Sequence, residues 1–123
     1  MRNWLRIVCS ASAVALCLYG VAVAGSFEDG QAAYDRGDYG QAVQVWRPLA
    51  VHGDARSEYM LGTSYDLGRG VPQNYVLAAA WYQRAADQGF QQAQANLGTL
   101  YASGRGVALD YGLAIRWWAR AAS

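Results

Sequence analysis

The stretch L-G-R-G-V-P-Q-N-Y, Leu67–Tyr75, returns 36 residues later as S-G-R-G-V-A-L-D-Y, Ser103–Tyr111. Each copy is preceded by L-G-T-x-Y or its overlap and followed by W-Y/W-x-R-A-A. Laid on Gly89–Ser123 without gaps, Gly53–Asp87 is identical at 16 of 35 positions. The shared positions include Leu61/Leu97, Gly62/Gly98, Tyr65/Tyr101, Gly68/Gly104, Gly70/Gly106, Ala78/Ala114 and Trp81/Trp117. Composition alone does not produce that density, so the two segments are copies of one structural unit. A degenerate earlier copy covers Phe27–His52, where Tyr39, Ala42 and Val45-Trp46 keep the same offset from Tyr75, Ala78 and Trp81-Tyr82. Its loop is shorter: Tyr34 and Tyr39 are five residues apart, against ten for Tyr65 and Tyr75.

Within each unit the apolar spacing is helical. Tyr75, Ala78, Ala79 and Tyr82 fall at i, i+3, i+4 and i+7, and alanine, leucine and glutamine fill the intervening positions. Residues 67–74 interrupt the pattern with two glycines and a proline. Asn74 and Asp110 stand where a cap starts the next helix. Each unit therefore reads as helix, loop, helix, with helices expected at 29–36, 39–51, 54–66, 75–87, 91–102 and 111–122. In the loop, Gly68 and Gly104 fall where a left-handed residue closes a helix. Arg69 and Arg105 are expected to reach back to the last carbonyls, where positive charge is favoured. The loop thus reads as structural, with ligand contact by the arginines as the competing reading. Gly62 and Gly98 sit mid-helix at a cost of about 1 kcal/mol each against alanine. The expected compensation is space for a large side chain, Trp81 or Trp117.

At these residues the chain resembles the Sel-one-like repeat family, longer relatives of tetratricopeptide repeats. The match runs through Leu61-Gly62, Tyr65, Gly68, Gly70-Val71, Ala78, Trp81-Tyr82 and Ala85-Ala86. It resumes at Leu97-Gly98, Tyr101, Gly104, Gly106-Val107, Asp110, Ala114, Trp117-Trp118 and Ala121-Ala122. Asn74 replaces the usual aspartate in the first full unit. The resemblance implies an all-α, right-handed α-solenoid of antiparallel helix pairs, its concave face lined by the first helices. The division expected is a degenerate helix pair at 25–52 and repeats at 53–88 and 89–123. It also implies a protein that binds other proteins or serves as an adaptor. Some exported, cysteine-rich members are linked to penicillin binding, a connection weakened here because residues 25–123 contain no cysteine.

The first 24 residues read as an export signal. Arg2 and Arg6 precede the uncharged, mostly apolar run Ile7–Val23, and Ala22-Val23-Ala24 is a small-x-small cleavage site before Gly25. The expectation is a periplasmic or secreted protein, with membrane anchoring by an uncleaved segment as the alternative. The bulky Leu16 before Cys17 is wrong for lipidation. Both cysteines, Cys9 and Cys17, lie in this segment, which removes disulfides, thiol catalysis and cysteine metal sites from the remainder.

Residues 25–123 carry 8 Arg, 9 acidic residues and no Lys. No basic patch points to nucleic acid. Without lysine there is no Ser-x-x-Lys nucleophile, no Schiff base and no phosphate loop. The lone His52 in a turn makes no zinc site, and no nucleophile elbow surrounds Ser57 or Ser64. Gly68-Arg69-Gly70 follows a helix rather than a strand and lacks the third glycine of a dinucleotide site. Asp54 and Glu58 are expected on one solvated helix face. No enzyme, cofactor or metal is expected.

The phase set by Leu61-Gly62, by analogy with tetratricopeptide repeats, assigns the groove to Arg56, Tyr59, Thr63 and Asp66, then Gln92, Ala95, Thr99 and Ala102. Tyr59 has no aromatic counterpart in the second copy and is the expected surface aromatic. This mixture suits a peptide or protein segment. The last helix, with Trp117-Trp118 and no polar cap after it, is expected to leave apolar surface at Trp118 for a second copy or a partner. The function expected is protein or peptide binding in a bacterial cell envelope. The alternatives are an accessory or hydrolytic factor of cell-wall metabolism, or a structural self-association module.

Overall fold

Five of the six helices begin at a side-chain oxygen that takes a backbone N–H of the first turn, each such cap being worth about 1 kcal/mol. The computed structural model describes residues 25–123, and the expected export signal, its cleavage site, Cys9 and Cys17 lie outside the described residues. The helices are α1 Phe27–Asp35, α2 Tyr39–Val51, α3 Ala55–Leu67, α4 Tyr75–Asp87, α5 Gln91–Ser103 and α6 Tyr111–Ala122, with no strand among the described residues. Ser26 and Asp29 form a reciprocal box at the start of α1. Asp38, Asp54, Asn74 and Asp110 cap α2, α3, α4 and α6. Before α5, Phe90 makes no side-chain cap, and its ring packs on Tyr59 at 5.2 Å instead. The first helices α3 and α5 end at Gly68 and Gly104, both left-handed.

Each helix packs chiefly on the ones before and after it in the chain, which makes the fold an all-α helical repeat solenoid. Two apolar clusters run through the stack. Ala33, Ala42, Val43, Trp46, Ala50 and Leu61 join α1, α2 and α3. Ala78, Ala79, Tyr82, Ala85, Ala86, Ala93, Leu97, Leu100 and Trp117 join α4, α5 and α6. Trp81 leans back on the first cluster, and Tyr59 and Tyr65 lean forward on the second, so neither is sealed off.

In every unit a glycine of the first helix lies against an aromatic ring of the second. A methyl group on Gly30 would enter the Trp46 indole, 2.7 Å from Cδ1. On Gly62 it would lie 2.5 Å from Tyr82 Cδ1, and on Gly98 2.6 Å from Trp118 Cδ1. The mid-helix glycines are therefore explained by close packing, but the sequence assigned them to the wrong partners, Trp81 and Trp117. Adjacent helical residues point about 100° apart, so only one ring of each aromatic pair faces the glycine. It is the second of the pair. Trp117 is buried in the core, while Trp81 packs on the preceding unit.

The G-R-G-V loops join one unit to the previous one. Gly70 runs so close to the Tyr39 carbonyl, and Gly106 to the Tyr75 carbonyl, that no side chain fits at either place. Both have positive φ, +78° and +71°. Arg69 donates to the Tyr34 hydroxyl and lies 5.3 Å from the Tyr39 ring centroid, while Arg105 lies 5.5 Å from that of Tyr75. The expected contact of these arginines with the carbonyls of their own helix is not what forms. The loop turns them onto the preceding unit, where a tyrosine face attracts the guanidinium. Val71 follows, packing on the preceding cluster.

These contacts separate two glycine substitutions that helix propensity alone treats alike. Gly62→Ala places a methyl group in the fully buried Tyr82 ring and is expected to destabilise by about 1–3 kcal/mol despite better propensity. Gly40→Ala, in α2 with nothing within 4 Å, is expected to stabilise by about 0.5–1 kcal/mol. Urea unfolding of both variants checks the pair; equal effects of the same sign contradict the packing account.

Candidate binding groove

The first helices α3 and α5 flank the hydroxyl end of Tyr82, whose ring comes up from α4 between them. Tyr82 Oη lies 3.1 Å from Asp66 Oδ2 and 3.3 Å from Thr63 Oγ1. Burial pushes the Tyr82 phenol well above its ordinary pKa, and the Asp66 carboxylate adds to the shift, while Thr63 and Asn96 oppose it. Tyr82 is therefore a neutral donor, and Asp66 an acceptor held in place by it. Thr63, Asp66 and Asn96 are all half-buried. They form a polar patch with an aromatic floor, built from three helices. Two members, Tyr82 and Asn96, were not among the groove residues expected. Tyr82 reads as core from its repeat position, and Asn96 has Met60 as its counterpart, so no pattern marks it.

The other expected groove positions are distributed unevenly. Gln92 and Thr99 are exposed on α5. The Thr99 hydroxyl bonds back to the Ala95 carbonyl of its own helix at 3.2 Å. Ala95 and Ala102 are half-buried, and the Ala95 carbonyl also accepts the Trp118 indole N–H at 3.1 Å. Arg56 reaches the N-terminal helix, 3.3 Å from Glu28 and 4.3 Å over the Phe27 ring, and lies 3.8 Å from Asp54. Glu28 is held below the ordinary carboxylate pKa, first by its own backbone N–H and next by Arg56. Tyr59, expected as the surface aromatic, is instead half-buried between Tyr82, 5.9 Å away, and Phe90. Its aromatic neighbour comes from Phe90, which the sequence placed in a turn.

Glu58 overturns the expected solvated acidic face. It is 1% exposed, with Oε1 3.3 Å from Arg84 Nε and Oε2 accepting from Gln88 Nε2 at 2.9 Å. Arg84 also lies 4.9 Å over Trp81 and donates to the Ala50 carbonyl, so it ties α2, α3 and α4 together. Only tertiary packing puts α4 over Glu58; on α3 alone its side chain is in water. The second copy of this place is different. Phe90 replaces the cap Asp54, Gln94 replaces Glu58, and Arg120 keeps the position of Arg84. There Gly89, Gln91, Gln94, Arg120, Ala121 and Ser123 line a cavity of about 450 Å³. His52 is an exposed residue closing α2, as its turn context predicts, and no group of acidic and histidine side chains able to hold a metal occurs among the described residues.

A stack of helix pairs with loops reaching backward and a polar surface on its first helices defines a helical repeat scaffold. The chain belongs to the Sel1 repeat family, whose model matches residues 55–90 and 91–123. It is similar to a solved Sel1 repeat protein from Oxalobacter formigenes, 33% identical, with a TM-score of 0.75 over 79% of this chain and 40% of that one. It is also similar to a protective antigen of uropathogenic Escherichia coli strains displaying an SLR fold. There the identity is 37% and the TM-score 0.74, over 85% of this chain and 24% of that one. The chain thus spans less than half the length of either structure. No curated protein matches. Sel1 repeat proteins generally mediate protein–protein interaction, on a scaffold that is typically non-catalytic.

The Glu58 pair yields an asymmetric expectation. Arg84→Met strands a buried carboxylate with one amide partner and is expected to cost about 3 kcal/mol or more. Glu58→Gln introduces the residue type that the second copy carries at Gln94 and leaves Arg84 half in water, so about 1 kcal/mol is expected. Thermal unfolding of the two variants measures the difference, and a larger loss for Glu58→Gln contradicts the reading.

Proposed function

We propose that this protein is an exported, non-enzymatic adaptor of a bacterial cell envelope that binds a protein or peptide segment along α3 and α5. The observation that carries it is the polar patch of Thr63, Asp66, Asn96 and the Tyr82 hydroxyl, placed on the first helices of a family whose members mediate protein–protein interaction. Asp66 and Asn96 supply acceptor and donor for a backbone laid across the two helices, and Gln92 and Thr99 extend the surface along α5. Export rests on the charged start, apolar run and small-x-small site of residues 1–24. An accessory role in cell-wall metabolism remains a subordinate reading, since the acidic side chains serve caps, Arg56 and Arg84 rather than facing one another.

Two measurements test the two halves. Residues 1–24 fused to a phosphatase that is active only after export are expected to yield active enzyme, and the mature chain is expected to begin at Gly25. Inactive fusion contradicts the location. For binding, a segment selected from a peptide library is expected to lose about tenfold or more in affinity with Asp66→Ala or Asn96→Ala and to be indifferent to Arg36→Ala, at the exposed residue that closes α1. Selected binders that ignore the Asp66 and Asn96 substitutions place recognition elsewhere.

A further inference from the structure

The hydrogen bonds around the Tyr82 hydroxyl have a direction, and that direction decides what the polar patch leaves free. A phenol has one proton and a carboxylate can only accept it, so Tyr82 Oη donates to Asp66 Oδ2 at 3.1 Å. Thr63, 3.3 Å away, and Asn96 therefore face the phenolic oxygen as donors, which is why both lower the Tyr82 pKa while Asp66 raises it. The Thr63 proton and one Asn96 N–H are spent on that oxygen. What remains is the second oxygen of Asp66, the lone pairs of Thr63 and the Asn96 carbonyl, against one further N–H of Asn96. The half-buried rim of the patch is thus a surface of acceptors.

Its charge is unmatched as well. None of the ion pairs among the described residues involves Asp66. Helix α5, on the other side of the Tyr82 hydroxyl, contains no charged residue. Arg69, three residues on, is committed to Tyr34 and Tyr39. Arg56 lies ten residues back, about 15 Å along α3, and is committed to Glu28 and Phe27. Asp66 also stands in the last turn of α3, at the negative end of the helix dipole, where a cation is favoured and α3 supplies none.

Resting on the binding function proposed above, we propose that the segment bound along α3 and α5 carries a lysine or arginine whose cationic head is received by Asp66, with Thr63 and the Asn96 carbonyl taking its further N–H groups. A basic side chain offers donors only and the opposite charge, so it complements both properties of the patch at once. An acidic side chain there sets acceptor against acceptor and charge against like charge. A neutral backbone amide brings one donor to several acceptors, and fits the surface beside the patch better than its centre. The half-buried Tyr59 ring, 5.9 Å from that of Tyr82 on the same side of α3, gives the aliphatic stem of a basic side chain an apolar wall.

Selection of a random peptide library on the 123-residue chain tests this. The recovered sequences are expected to share a lysine or arginine at one fixed position. Changing that residue to alanine in a synthetic copy of one binder is expected to weaken binding about tenfold or more on the unmodified chain. On Asp66→Asn, which keeps an acceptor for Tyr82 and is expected to leave helicity unchanged, the same peptide change costs about threefold or less. Asp66→Lys turns a repeated selection toward aspartate or glutamate at that position. Asp87→Asn, exposed on α4, is expected to change nothing. Binders that depend on Asn96 but carry no basic residue overturn the proposal and leave the groove in place. A basic residue whose removal costs the same with and without the Asp66 carboxylate overturns it too, as does an equal effect of Asp87→Asn, which shows unspecific charge attraction. Binders indifferent to both Asn96→Ala and Asp66→Asn remove the groove itself along with the proposal.

Discussion

A helix glycine in contact with an aromatic ring sets the spacing of this molecule. Gly30 against Trp46, Gly62 against Tyr82 and Gly98 against Trp118 let the two helices of each unit approach until a ring fills the gap. A larger residue pushes the helices apart, and a smaller ring leaves a void, so neither half of the contact varies independently. The ring itself alternates between tryptophan and tyrosine, and the choice decides what its polar atom bonds. Trp46 spends its N–H on the Phe27 carbonyl and Trp118 on that of Ala95. Tyr82 instead carries a hydroxyl through to Thr63 and Asp66. The framework contact of the middle unit is thus also the floor of its polar patch.

The loops do for the stack what the glycines do for each pair. Gly70 and Gly106 bring backbone onto the start of the preceding unit's second helix, and the neighbouring arginines clasp its tyrosine. A long-range interface is thereby made from a contact coded within a nine-residue stretch. Around this fixed frame the chemistry differs between copies. The place filled by Asp54, Glu58, Arg84 and Gln88 in one unit is an open cavity around Gln94 and Arg120 in the next. Repeat architecture allows such differences in side-chain chemistry because each unit answers only to its neighbours.

The sequence by itself determined the repeat, the number of helices among the described residues, their ends to within two residues, and the structural role of the glycine loops. These follow from short-range physics: capping residues, periodicity and positive φ are local properties, legible wherever they recur at a fixed offset. It also identified the glycines of α3 and α5 as packing sites, but not which ring fills them, because Trp81 and Tyr82 differ only by about 100° of helix rotation. What only the tertiary structure decided are the neighbours from other helices. Glu58 looks solvated on α3 and becomes buried when Arg84 and Gln88 close over it. Tyr59 looks free until Phe90 arrives, and Asn96 joins the patch only because Tyr82 rises between α3 and α5. Repetition records what the copies share, whereas a binding surface is made of the positions where they differ, and side chains at those positions acquire their partners only when the helices are brought together.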